Sequence, residues 1–105
     1  MNFQQRFPED DDIWMYSDPQ VAQMKAFKKY GPTAILYRSK AKNKKYYIVN
    51  PAGKKVNFGQ MEYEDFLKHK DPIRRQNYLT RSAGMKGNWK SDGYSANNLS
   101  RNILW

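Results

Sequence analysis

The stretch from Asn57 to Arg81 constrains the fold more than any other part of this chain. It reads Asn57-Phe58-Gly59, Tyr63-Glu64-Asp65-Phe66 and His69-Lys70-Asp71, then carries Arg74, Tyr78 and Arg81. A short strand ending in glycine, one turn of helix and a second helix opening at Asp71-Pro72 follow from these residues. Aspartate supplies the cap of that helix, and proline suits its first position. Tyr63, Phe66 and Leu67 stand at i, i+3 and i+4, so they share one face of the first helix. The second helix runs from Pro72 to about Ala83. Ile73 and Leu79 are its main apolar residues, and it is otherwise polar. A helix of that kind needs some attachment other than an apolar stripe.

The segments upstream complete a small domain. Asp18-Pro19 starts a helix in which Val21, Met24 and Phe27 recur at helical spacing, and Lys25, Lys28 and Lys29 take other faces and the last turn. Lysines there complement the helix dipole, and Gly31-Pro32 ends the helix. Three strand-like runs follow: Ala34 to Ser39, Lys45 to Asn50, and Lys55 to Gly59. Lys40 to Lys44 joins the first two, and Asn50-Pro51-Ala52-Gly53 forms a tight turn between the others. Tyr46 and Ile48 alternate with Tyr47 and Val49, while Val56 and Phe58 point together. The pattern predicts a three-stranded antiparallel meander that needs a helix on one face. Gly84, Gly87 and Gly93 mark a loop anchored by Trp89 and Tyr94, and Ser95 to Trp105 reads as a final short helix.

The fold class expected is therefore α+β: a small meander packed with short helices, plus extended N- and C-terminal arms. Its divisions are an acidic and aromatic arm at 1–17, an α+β domain at 18–83, and a glycine-containing loop with an anchoring helix at 84–105. A chain ending in Ile103-Leu104-Trp105 packs those side chains on its own domain or into a neighbour.

With 105 residues, 39% hydrophobic, the chain suffices for one domain with a modest core. It has no cysteine, which removes disulfides and thiolate metal sites. No apolar run approaches the ~20 residues of a membrane span. Glu9 to Asp12 occupy the place where a signal peptide needs apolar residues, so secretion by signal peptide is not expected.

The net charge of +9 is unevenly spread: residues 1–24 carry −4 and the remainder +13. Such an acidic arm either stays solvated and disordered or folds onto a basic surface. Residues 10–16 also resemble a docking peptide, with aromatic anchors Trp14 and Tyr16 beside aspartates. Alternatively, Trp14 caps the core of its own domain.

Catalysis is disfavoured by elimination. His69 is the only histidine, no thiol exists, and His69-Lys70-Asp71 splay apart when helical. Glu62, Glu64 and Asp65 suit a helix dipole better than a cation. Gly84-Met85-Lys86-Gly87 lacks the strand and Gly-Lys-Ser/Thr of a phosphate loop. No enzyme activity, cofactor, metal or small-molecule substrate is expected. The basic residues have two readings. Lys42, Lys44, Lys45, Lys54 and Lys55 on the hairpin, with His69, Lys70, Arg74, Arg75, Tyr78 and Arg81, could grip an anionic partner or nucleic acid, arginine holding phosphate while tyrosine stacks. Equally, lysines guard sheet edges, and Arg74 and Arg81 could pair with Asp65 to fasten their helix. No helix-turn-helix, zinc finger or RNP motif accompanies them, so sequence-specific readout is not expected.

From about Lys44 to Trp105 the chain resembles a family of small basic domains of unassigned role encoded by large double-stranded DNA viruses of eukaryotes. The residues that carry the resemblance are the lysine-rich hairpin, Asn57-Phe58-Gly59, Tyr63-Glu64-Asp65-Phe66, His69-Lys70-Asp71, the Arg74/Tyr78/Arg81 spacing and the Trp-rich end. Met1 to Tyr30 lies outside it. The resemblance implies a viral setting and a place in the virion, assembled in the infected cell, but no chemistry. The leading expectation is a non-enzymatic minor capsid or cement protein that bridges capsid proteins and other virion proteins. Trp14, Tyr16, Trp89, Leu104 and Trp105 would be its docking anchors. The alternative is a small nucleic-acid-binding protein that uses the hairpin and the Arg74/Tyr78/Arg81 stripe. A third expectation is an adaptor that engages a host protein through residues 10–16.

Overall fold

The computed structural model describes all of residues 1–105. Two single-turn helices, α1 (Phe3–Arg6) and α2 (Ile13–Tyr16), precede α3 (Pro19–Tyr30). The strands β1 (Tyr37–Arg38), β2 (Lys44–Val49) and β3 (Lys55–Gln60) follow, then α4 (Phe66–His69) and α5 (Pro72–Ala83). A 3-10 turn at Trp89–Ser91 leads to α6 (Ala96–Leu99), which continues as a π-helical stretch, Ser100–Leu104. The strands form an antiparallel sheet in the order β1-β2-β3, with Tyr46 opposite Phe58 and Tyr37 opposite Tyr47. The α+β meander expected from the alternation is thus present.

Both long helices start as their Asp-Pro pairs dictate. The Asp18 carboxylate accepts from Gln20 N and Val21 N, and Asp71 does the same for Ile73 N and Arg74 N. Gly31 ends α3 at φ 100°, a conformation that excludes most side chains. The hairpin turn is built on Asn50, whose side chain accepts from Ala52 N and Lys54 N.

Three local expectations fail for reasons visible in the packing. The Val21, Met24 and Phe27 stripe faces solvent, and α3 instead buries Pro19, Ala22, Gln23 and Ala26. The two alanines let the helix lie close against the Ser100–Leu104 stretch. Gln23 tolerates burial because its amide pairs with backbone, donating to Ala34 O at 2.8 Å and accepting from Leu36 N at 2.9 Å. That pairing explains the second failure. Residues 34–36 are not strand, because Gln23 takes Leu36 N and the Arg6 guanidinium takes Leu36 O in place of a neighbouring strand. Only Tyr37–Arg38 joins the sheet. The third concerns α4, which is one turn long. It buries Leu67, while Tyr63 stays 61% exposed in the preceding turn.

The termini are not extended arms. Phe7 and Ile13 from one end, and Leu99, Ile103 and Leu104 from the other, share one core with Leu36, Tyr46, Ile48, Phe58 and Leu67. The Phe7 ring meets Tyr46 edge-on at 5.6 Å, and Tyr46 donates to Ser17 Oγ at 2.7 Å. The acidic segment folds back, with Asp11 accepting from Arg38 Nε at 3.0 Å. A radius of gyration of 13.1 Å matches the ~13 Å of a compact domain this long, which leaves no length for projecting arms. No helix is long and apolar enough to cross a membrane.

Candidate anion-binding cleft

The Arg74, Tyr78 and Arg81 side of α5 does what its spacing predicts: it forms one wall of a cleft of about 730 Å³. The opposite wall comes from Lys44 and Lys45 on β2, Phe58 to Gln60 on β3, and Tyr63 and Glu64 in the following turn. Asn97, Ser100, Leu104 and Trp105 close the end.

The C-terminal segment attaches the polar helix α5. Tyr78 stacks on Trp105 with ring centres 4.1 Å apart and planes 13° from parallel. Arg75 Nε donates to Trp105 O at 2.6 Å, Arg101 donates to Leu79 O at 2.7 Å, and Asn97 donates to Ser82 O at 3.0 Å. Ile73, expected as an apolar attachment, is 72% exposed. The pairing of Arg74 and Arg81 with Asp65 is also absent. Arg74 instead meets Glu64 at 3.6 Å with both side chains about half exposed, a contact of little energetic weight. Arg81 has no ion-pair partner.

Asp65 belongs to Lys45. Their side chains, 1% and 2% exposed, meet at 3.2 Å, and the same ammonium donates to Tyr63 O at 2.5 Å. Burial raises the pKa of Asp65, with the nearby ammonium only partly offsetting it. Burial likewise lowers that of Lys45 against the pull of Asp65. Asp65 N donates to Tyr16 O at 3.0 Å, so the N-terminal segment braces the pair from beneath. Lys45 is therefore not a surface cation, and its expected anion-binding role is corrected. It fixes the turn that carries Tyr63 and Glu64. Sequence reasoning missed this pair because its partners lie 20 positions apart with no shared periodicity.

Gly59 shapes the floor of the cleft. It adopts φ +80°, and a Cβ placed there would stand 2.8 Å from Leu104 Cδ1 and 3.1 Å from Lys45 Cβ. Only glycine allows the C-terminal leucine to reach the sheet at this point.

The remaining basic candidates do not converge. Lys42 and Lys44 lie at the cleft end of the hairpin. Lys54 and Lys55 lie at the other end, with Val49 opposite Lys55 and Lys44 opposite Gln60. Six strand residues place those ends roughly 17 Å apart. Lys55 instead covers the Tyr47 ring at 4.3 Å. His69 Nδ1 accepts from Asp71 N at 2.9 Å, and its ring lies 5.1 Å from Trp105. Burial, then the nearby Arg74 charge, lowers its pKa, which favours the neutral imidazole that packs on Trp105. Lys70 is an exposed helix end at φ 56°, and the Arg75 guanidinium lies over Phe66 at 5.5 Å. Of the candidates, Lys44, Arg74, Tyr78 and Arg81 share the cleft, whose wall also includes the paired Lys45.

The expected docking anchors are largely used internally. Leu104 is 1% exposed. Trp14 packs edge-on against Phe3 and donates to Pro8 O at 2.9 Å. Trp89 donates to Met85 O at 2.8 Å and lies under Arg101. Trp105 is covered by Tyr78, and Tyr16, in α2, is partly buried. With Ile13 buried and Asp11 paired to Arg38, residues 10–16 are not a free docking peptide. No three carboxylate or imidazole groups converge anywhere in the structure.

The chain matches no curated protein and no solved structure. Residues 34–82 match a family of unknown function (DUF5754), a span that runs from the segment entering β1 to the last turn of α5 and leaves out both termini.

Proposed function

We propose that this protein is a non-enzymatic nucleic-acid-binding module that works through the cleft beside α5. The observation that carries the reading is the convergence of Lys44, Arg74 and Arg81 around one open cleft in which Glu64 is the only acidic side chain. Three cations lining one cleft attract a phosphate chain by releasing its counterions, and the +13 carried by residues 25–105 steers polyanions toward it. Backbone contacts of this kind give affinity without sequence readout. The viral setting implied by the resemblance suits such a protein as a factor in genome condensation or regulation. A fluorescence-anisotropy titration against labelled DNA and RNA tests the reading. Binding that weakens steeply with salt, and that Arg74→Ala with Arg81→Ala largely abolishes, is expected. Absence of binding at low salt would remove it.

A second reading, a minor capsid or cement protein of a large double-stranded DNA virus, draws on the exposed Val21, Met24 and Phe27 side of α3. A row of large apolar side chains in water suits contact with a neighbouring capsid protein. Mass spectrometry of purified particles decides this one, and consistent absence of the chain rejects it.

A further inference from the structure

Resting on the nucleic-acid reading of the cleft, we infer that the cleft takes a single strand, with an unpaired base stacked on Tyr63 and its phosphates along Lys44, Arg74 and Arg81. The stripe on α5 offers Tyr78 as the natural stacking ring, yet Trp105 already covers it. Of the other aromatics that line the cleft, Phe58 is fully buried and Trp105 is taken up by the stack on Tyr78, which leaves Tyr63. It is 61% exposed, and no aromatic or cationic side chain covers its ring. A large ring left in water on a mobile loop would be unremarkable, but the backbone that carries this one is held. The buried Lys45 ammonium donates to Tyr63 O, and Tyr63 N donates to Gln60 O at 3.4 Å. An uncovered ring carried on anchored backbone beside cations is the arrangement that stacks a base while gripping its phosphates.

Duplex binding fits the geometry poorly. Bases in a duplex already cover each other's faces and offer only edges in the grooves. For α5 to enter a major groove, its arginines would have to point outward, and Arg74 and Arg81 point into the cleft. Glu64 adds a competitor. Its carboxylate sits 3.6 Å from the Arg74 guanidinium, so an incoming phosphate must displace it.

The test uses the full chain with a fluorescein-labelled oligothymidylate of about ten nucleotides and a duplex of the same length, titrated at several salt concentrations. The single strand is expected to bind about tenfold tighter or more. Tyr63→Ala should weaken single-strand binding roughly 5- to 150-fold with the salt dependence unchanged, and Tyr63→Phe should restore it. Arg81→Ala should reduce the slope of log affinity against log salt by about 0.7. Glu64→Gln should tighten binding. Thermal melting of each variant checks that the fold persists, which the exposure of Tyr63 favours. Equal or better duplex binding, or Tyr63→Ala within about twofold of the parent protein, overturns the single-strand inference and leaves the cleft reading standing. Failure of both probes to bind at low salt overturns the two together.

Discussion

Replacing Asp65 by asparagine should bring this protein to the edge of unfolding, whereas replacing Asp65 and Lys45 together should not. The two side chains meet at 3.2 Å, where opposite unit charges attract by about 5 kcal/mol at an effective dielectric of about 20. Withdrawing each ion from water opposes folding by several kcal/mol, so the intact pair contributes little net stability. Asp65→Asn removes the attraction and leaves an ammonium that is 2% exposed without its counter-charge. The expected loss is about 3–5 kcal/mol, a large share of the roughly 5–15 kcal/mol that holds a domain together. Lys45→Met should cost about as much at pH 7 and less in acid. The pKa of Asp65 is already raised by burial, and losing the ammonium raises it further, so the stranded carboxyl takes up a proton as the pH falls. A folded-state pKa above the unfolded value means that this contribution favours the folded chain at low pH and fades as pH rises through the folded value. The double variant Lys45→Met with Asp65→Leu removes both ions and should lie within about 2 kcal/mol of the parent protein. Urea denaturation followed by tryptophan fluorescence gives each free energy, and the single variant Asp65→Leu closes the cycle that yields the coupling between the sites. Single variants that each lose under about 1 kcal/mol, or a double variant that loses the sum of the two, would refute the reasoning.

Gly59→Ala should destabilise the fold by about 2–4 kcal/mol, read by the same denaturation, because it combines a left-handed backbone with a collision against Leu104. Phe7→Ala should lose about 3–5 kcal/mol, since Phe7 is a core residue and not part of a free arm; a loss under about 1 kcal/mol would show the N-terminal segment to be dispensable. Acidification should destabilise the protein modestly through His69. Its pKa is lowered in the folded state, so the unfolded chain takes up the proton first, and stability falls as pH drops below about 6.5. His69→Gln should flatten that part of the profile, measured as melting temperature against pH.

Much of the local structure could be read from residues whose physics is local. Asp18-Pro19 and Asp71-Pro72 begin the two long helices, and Asn50 to Gly53 turns the hairpin, because caps and turns depend on a few neighbouring atoms. The Arg74, Tyr78 and Arg81 row was legible for the same reason, since helical spacing alone puts those residues on one side. Partners distant in the chain were not legible. Nothing near Lys45 announces that Asp65 will meet it, so a lysine in a basic hairpin reads as a surface charge. Likewise, Gln23 gives no local sign that it will occupy the backbone of residues 34–36 and so shorten a strand. The apolar residues of α3 misled because its neighbour demanded small side chains, and Ala22 and Ala26 met that demand better than Val21 and Met24.

The Leu104–Gly59 contact has a consequence for how the molecule comes into being. One end of the cleft is built from residues near position 100 and its opposite wall from residues near position 60, so the ribosome must release the chain past Leu104 before a cavity exists. Contacts that close so large a loop form late. Occupancy of the cleft would then report completed folding, and a shortened or stalled chain would keep its positive charge without a place to put it to use.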